Sequence, residues 1–196
     1  LSSYIDFLDK IGDLKRILTE VDPELEISEI SSKTIEDNGP ALLFENVKGS
    51  SFPVATNLFG SEERLRVSLG CNPKELGEEI LSFAEKAMPP KLDNLFKSFP
   101  FIKRLTNFRS KEQAFNSPCQ QIQDEITLED LPIIKCWPED GGKFITMGLT
   151  ITESPISKKP NMGMYRLQMH DKERLGMHWH PHKGGATHYH EARQLG

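Results

Sequence analysis

Between Pro160 and Gly185 the chain reads P-N-M-G-M-Y-R-L-Q-M-H-D-K-E-R-L-G-M-H-W-H-P-H-K-G-G, and the side chains able to do chemistry are concentrated there. All six histidines lie between His170 and His190. On a strand, His178-x-His180-x-His182 sets imidazoles about 6 to 7 Å apart. Two neighbours then reach one metal while other ligands arrive from elsewhere in the fold. Asn161 offers an amide oxygen, a donor that suits a hard cation. Arg166 offers a permanent, planar positive charge matched to a carboxylate. Lys183-Gly184-Gly185 ahead of a helix has the composition of an anion nest, where glycines let backbone N–H groups approach a phosphate. Each feature also has a plainer reading. The histidines are then solvated or satisfied in a core, Asn161 caps a turn after Pro160, and the glycine pair simply ends a strand.

The elements that must position these residues read as a β-hairpin. Two runs of apolar/polar alternation flank D-K-E-R, a turn without the Asn-Gly signature of the tightest hairpins. Alternation puts Asn161, Gly163 and Tyr165 on one face of the first strand and Met162, Met164 and Arg166 on the other. On the second strand His178, His180 and His182 share a face, with Met177, Trp179 and Pro181 opposite. Asn161 and Arg166 thus face apart, and a shared site requires a bulge at Gly163 or a ligand gripping the strand end. A helix is expected to begin at Gly184 or Ala186.

Upstream, Ile5, Leu8, Ile11, Leu14 and Leu18 recur at steps of three and four and predict an amphipathic helix from Ser2 or Ser3 to near Asp22-Pro23. A second helix is expected over Leu25 to Ile35, stopped by Asp37-Asn38-Gly39-Pro40. Ala41 to Val47 and Phe52 to Leu58 read as strands. Ser61 followed by Glu62 and Glu63 begins a helix that Gly70 ends, and Pro73 opens the next. From Lys91 to Pro118 the text is a linker with some helix; its Phe96, Phe99, Phe101 and Phe108 read as packing rather than base stacking. Residues 1–117 are therefore expected to form an α/β N-terminal domain with its linker. From Cys119, C-Q-Q-I-Q, I-I-K-C-W, a P-E-D-G-G turn, F-I-T-M-G-L-T-I-T and the hairpin predict at least five strands, so 118–196 reads as the first part of a mainly antiparallel β domain. An open sheet edge of this kind is a liability, and the chain is expected to be the front part of a longer protein.

The bulk properties narrow the classes. A chain of 196 residues, 37% hydrophobic and 27% charged, supports a real core. A formal charge of −5 without a basic block disfavours nucleic acid as partner. No run of about 18 apolar residues exists, and L-S-S-Y-I-D-F-L-D-K is not expected to be a secretory signal. Cys71, Cys119 and Cys136 are odd in number and widely spaced, which reads as reduced thiols in a cytoplasmic protein.

Asp130 to Glu191, with C-W-P-E-D-G-G, N-M-G-M-Y-R and H-W-H-P-H-K-G-G, resembles the flavin-binding, split-barrel domain of the UbiD family of decarboxylases. G-P-A-L-L-F-E-N-V at Gly39 to Val47 and N-L-F-G-S-E-E-R at Asn57 to Arg64 resemble that family's N-terminal region. The resemblance implies reversible, non-oxidative decarboxylation of aromatic or α,β-unsaturated acids with prenylated FMN, a divalent metal, expected to be manganese, and potassium. Type members act on 4-hydroxy-3-polyprenylbenzoate in quinone biosynthesis. By the same resemblance, Asn161 and His182 are metal ligands and Arg166 is catalytic. Met164, Tyr165, Arg166, His178, Trp179, His180, Lys183 and Gly184 match segments that line the flavin. The family's metal-binding glutamate and the acidic partners of the arginine come later than Gly196, so this stretch alone is expected to be inactive. The implied partners are a carboxylic acid, a flavin prenyltransferase as cofactor supplier, further copies of the protein, and a membrane surface if the substrate is polyprenylated. Two rival classes stay open: a zinc hydrolase or cupin-like metalloprotein using His178, His180 and His182, and a non-catalytic flavin-binding or oligomerisation module.

Overall fold

Ala41–Phe44 is buried at all positions, as a strand covered on both faces must be. It forms the middle of a three-stranded sheet in a computed structural model that describes residues 1–87, 117, 121–122 and 125–196. In chain order the elements are α1 (Ser2–Lys10), β1 (Leu14–Ile17), α2 (Glu26–Glu36), β2 (Ala41–Phe44), β3 (Val54–Thr56), α3 (Glu62–Leu69), α4 (Pro73–Ala87), β4 (Phe144–Glu153), β5 (Pro160–Met169), β6 (Leu175–Met177) and α5 (Gly184–Leu195). Two units result, Leu1–Leu58 with Ile126–Gly196 and Phe59–Glu125. The boundary expected at 117/118, Cys119 and the linker phenylalanines fall at or within residues outside those described.

In the first sheet β1 runs parallel to β2, and β3 antiparallel to it. Val21, Ile27, Leu42, Phe44 and Val47 form its core, with Ile134 packed against them. The long first helix expected from apolar spacing is corrected here: α1 stops at Lys10. Gly12 adopts φ +77°, and the N–H groups of Gly12 and Asp13 donate to the carbonyls of Asp9 and Leu8 at 3.1 and 2.9 Å. That pairing is a Schellman stop, which glycine enters without steric cost. Leu14 to Ile17 are then free to pair with β2, while Leu18 is left exposed.

In the other unit the local signals are realised as read. The Ser61 hydroxyl accepts the Arg64 N–H at 3.1 Å, Gly70 closes α3 in the left-handed conformation, and α4 starts at Pro73.

The second sheet has the order β4-β5-β6, all antiparallel. Among the described residues after 118 it has three strands rather than the five expected. Ile134 and Lys135 make only isolated bridges, to Phe144 and Glu24. The Lys135 backbone is instead tied to Pro23 and Leu25 at 3.0 Å each, which joins this segment to the connection between β1 and α2. Cys71 and Cys136 are free thiols. No helix among the described residues is long and apolar enough to cross a membrane.

The D-K-E-R turn is organised by Asp171. Its carboxylate accepts the N–H groups of Glu173 and Arg174 at 3.0 and 2.9 Å and the Arg174 Nε at 2.6 Å. The Glu173 N–H first, and then the Arg174 side chain, hold this carboxyl below its ordinary value of 3.8. A carboxyl with a depressed folded-state pKa contributes stability that is present above its unfolded pKa and is lost as pH falls through the folded one. Wild type is therefore expected to lose more melting temperature than Asp171→Asn between pH 5 and 2.5, measured by circular dichroism. Parallel acid profiles for the two proteins would contradict the role given to Asp171.

Candidate functional site

The face of β5 that carries Asn161, Gly163 and Tyr165 is the covered one, and α5 lies on it. A Cβ at Gly184 would stand 2.5 Å from Asn161 Oδ1, and one at Gly185 would stand 2.4 Å from Trp179 Cζ3 and 2.7 Å from the Tyr165 oxygen. Neither glycine has a positive φ, so close approach rather than backbone conformation explains both. The Gly185 N–H donates to the Tyr165 hydroxyl at 2.9 Å. Of the backbone N–H groups in the Lys183-Gly184-Gly185 stretch read as an anion nest, that of Gly185 is thus occupied by Tyr165. Tyr165 meets Trp179 edge-on at 5.4 Å, and Trp179 stacks on Tyr189 at 5.8 Å.

Beneath the helix the side chains are polar. Thr152, directly opposite Asn161 in the ladder, lies 2.9 Å from His188 Nδ1 through its hydroxyl oxygen. That oxygen also receives the Asn161 Nδ2–H at 3.4 Å. Buried Ser154 donates to Glu191 at 2.6 Å and accepts the Ser157 N–H at 2.8 Å. Sequence reasoning singled out none of Thr152, Ser154, His188 and Glu191. Their signal was the alternation of Thr150, Thr152 and Ser154 with Leu149, Ile151 and Glu153, which marks one polar face.

The other face of the hairpin is apolar and open. Leu149 pairs with Met164 and Ile151 with Met162, and these four side chains are 57% to 76% exposed. Arg166 lies on this face with its guanidinium 4.6 Å from the centre of the Phe144 ring, a cation–π contact. Phe144, Arg166, Gln168, His170, Met177 and His178 line an open cleft of about 270 Å³. Ladder pairing is continuous past Gly163, so of the two routes to a shared site for Asn161 and Arg166 the bulge at Gly163 is absent. The irregularity lies in β4, where Thr146 and Met147 together face Arg166.

The histidine trio does not share a strand face. The strand β6 ends at Met177, and the His178 N–H makes a last rung to the Arg166 carbonyl at 3.2 Å. The chain then turns, closed by the Lys183 N–H on the His180 carbonyl at 3.0 Å. Pro181, which has no N–H to give a ladder, sits in that turn. The His180 and His182 rings stand 5.7 Å apart and tilted. No three His, Cys, Asp or Glu side chains converge among the described residues, so the zinc reading gains no geometry.

The structure thus divides the singled-out residues. Asn161, Tyr165, Trp179 and Gly184 meet under the start of α5, Met164 and Arg166 lie on the open face with His178 beside the cleft, and His180, His182 and Lys183 lie on the exposed turn between them. The donors Asn161 and His182 fit a hard divalent cation in one respect that can be checked. Asn161 Oδ1 accepts no hydrogen bond among the described residues, and it rests against Gly184, two residues after His182.

Two family models match in order: the 3-octaprenyl-4-hydroxybenzoate carboxy-lyase N-terminal domain over residues 5–84 and the Rift-related domain of the same carboxy-lyase over residues 110–196. The chain belongs to the UbiD family and corresponds to its N-terminal portion. Solved structures agree. An evolved dimeric form of the UbiD-class enzyme HmfF from Pelotomaculum thermopropionicum, in complex with prFMN, is 26% identical with a TM-score of 0.75, covering 100% of this chain and 41% of that one. HmfF in complex with FMN is 27% identical with a TM-score of 0.76, covering 100% and 40%. The closed form of vanillic acid decarboxylase from Sedimentibacter hydroxybenzoicus, at 24% identity and TM-score 0.75 over 99% and 40%, shares the fold. The chain spans about two fifths of the length of these relatives.

Gly185→Ala is expected to destabilise the docking of α5 by about 1–3 kcal/mol, the usual cost of overpacking a closed contact. Guanidinium unfolding followed by tryptophan emission would register it, and an unchanged midpoint would show that the contact is looser than described.

Proposed function

We propose that this chain is part of a prenylated-FMN-dependent decarboxylase that acts reversibly on an aromatic or α,β-unsaturated carboxylic acid. The substrate put forward is a 4-hydroxy-3-polyprenylbenzoate-type acid of quinone biosynthesis. The observation that carries the reading is the placement of Asn161 Oδ1, without a donor of its own, beside the turn that presents His182. Family membership and the flavin named in the HmfF complexes support it.

Asn161 and His182 would hold the divalent metal, manganese, whose charge balances a flavin phosphate; an amide oxygen and an imidazole are compatible donors for such an ion. Potassium is the further ion in this reading. When bound, prenylated FMN supplies the electron sink that loss of carbon dioxide requires and that no side chain provides. Arg166 holds the substrate carboxylate by a fixed charge, and the Phe144 ring beneath its guanidinium restricts where that charge points. Met164 extends the apolar surface next to Arg166 on the same face, where it would line the flavin. Tyr165 and Trp179 keep α5 seated, while His178, His180 and Lys183 from the turn and Gly184 at the start of α5 would line the flavin. The protein would work in the cytoplasm as a homo-oligomer, receive its cofactor from a flavin prenyltransferase, and meet a polyprenylated substrate at a membrane surface.

Four variants of the intact protein that contains this chain test the assignment. Arg166→Ala should keep flavin bound while decarboxylation falls by a factor on the order of 10² to 10³, as when an oriented charge is removed from a site. His182→Ala should lose metal and flavin, and His178→Ala and His180→Ala should be milder. Equal damage from all three histidine variants, with Arg166 dispensable, would overturn the reading in favour of a histidine-held metal.

A further inference from the structure

Only the oxygen end of an asparagine amide can bind a hard cation, so a ligand role for Asn161 depends on which end faces the site. The end that faces away is the one whose partner decides. Here Nδ2 points to the Thr152 hydroxyl at 3.4 Å, and that hydroxyl lies 2.9 Å from His188 Nδ1. A threonine hydroxyl has one proton and two lone pairs. Left alone, it could turn its proton toward a flipped Asn161 and accept the wrong orientation. In the Nε2–H tautomer of His188, Nδ1 accepts that proton, and only lone pairs remain for Asn161. The NH₂ end is then the end that fits against Thr152, and Oδ1 is left toward Gly184, where the absence of a Cβ makes room for it.

We propose that Thr152 and His188 are positioning residues that fix the Asn161 amide with its oxygen toward the metal side. The proposal rests on the reading of Asn161 as a metal ligand. His188 reaches the site from the second turn of α5, so docking of that helix and orientation of the ligand are linked. Thr152 is set opposite Asn161 by strand register. Partners of this kind around a ligand typically change metal affinity by about 10- to 100-fold when removed.

The test is binding of manganese(II) alone to the intact protein, read from the loss of the free-ion electron paramagnetic resonance signal. Thr152→Val, which keeps the shape and removes the hydroxyl, and His188→Leu should each weaken binding by about 10- to 100-fold. Thr152→Ser and His188→Asn, whose side-chain oxygen can accept near the Nδ1 position, should bind within about threefold of wild type by the same logic. Ser154→Ala breaks a different contact, from the residue after β4 to the same helix; it should lower the melting temperature without moving manganese affinity, which separates orientation from general loosening. Wild-type affinity in both Thr152→Val and His188→Leu, with affinity lost in Asn161→Ala, would overturn the positioning role and leave the ligand reading intact. Wild-type affinity in Asn161→Ala would overturn the ligand reading itself, and the positioning role with it. Equal weakening by Ser154→Ala, or failure of Thr152→Ser and His188→Asn to restore binding, would assign the effect to helix docking and also overturn the proposal.

Discussion

The contact on which the site depends is the bond from the Gly185 N–H to the buried Tyr165 hydroxyl. A helix can approach a sheet this closely only where side chains are absent at the crossing, and Gly184 and Gly185 provide that gap. A hydrogen bond of this type contributes about 1 kcal/mol net, but leaving the buried partner unsatisfied costs about 1–3 kcal/mol. The bond is therefore hard to remove singly. By fixing the start of α5, it fixes His188 against Thr152 and Gly184 against Asn161.

That docking explains an inversion in the hairpin. An antiparallel pair packed on one side usually buries its apolar face and exposes its polar one. Here Thr150, Thr152, Ser154 and Asn161 lie on the helix side, while Leu149, Ile151, Met162 and Met164 are turned outward. Thr152, Ser154 and Asn161 are tolerated under the helix because Asn161 pairs with Thr152, Thr152 with His188 and Ser154 with Glu191. The outward apolar face is the larger anomaly, since contiguous exposed apolar surface marks a place where something else binds. Its neighbour Arg166 is the charged group that a carboxylate ligand on that face would meet.

Much of this was legible in the chain. Ser61, Gly70 and Pro73 bound two helices by chemistry confined to a few residues, and the structure places those bounds where local capping rules put them. The faces of β5 followed from strict alternation. What misled was a pattern that two structures share: Ile5 to Leu18 is helical in spacing, yet Gly12 stops the helix and pairing with a buried strand claims Leu14 to Ile17. The histidine trio misled for the opposite reason. Its period of two is real, but Pro181 and the turn to α5 withdraw the strand on which that period would have meaning. Thr152 and His188 were illegible because their contact spans residues far apart in sequence and is created only by helix docking.

In the proposed site, the opposite facing of Asn161 and Arg166 is resolved by the second of the two routes the sequence offered, a ligand gripping the strand, rather than by a bulge at Gly163. Along β5, ladder pairing with β6 covers Leu167 to Met169, so among the described residues the strand from Pro160 to Tyr165 is paired on the β4 side alone. Past the single His178–Arg166 rung the neighbouring edge carries no ladder among the described residues, and the 178–183 segment turns away beside it. A side chain on either face of a strand is reachable from an unpaired edge, whereas within a fully paired sheet the two faces are separated by backbone. One extended ligand can therefore touch Asn161 on one side and Arg166 on the other by lying over that edge, with the histidine turn alongside. In the proposed reading, the early end of β6 is what would let two residues five apart on one strand serve a common site.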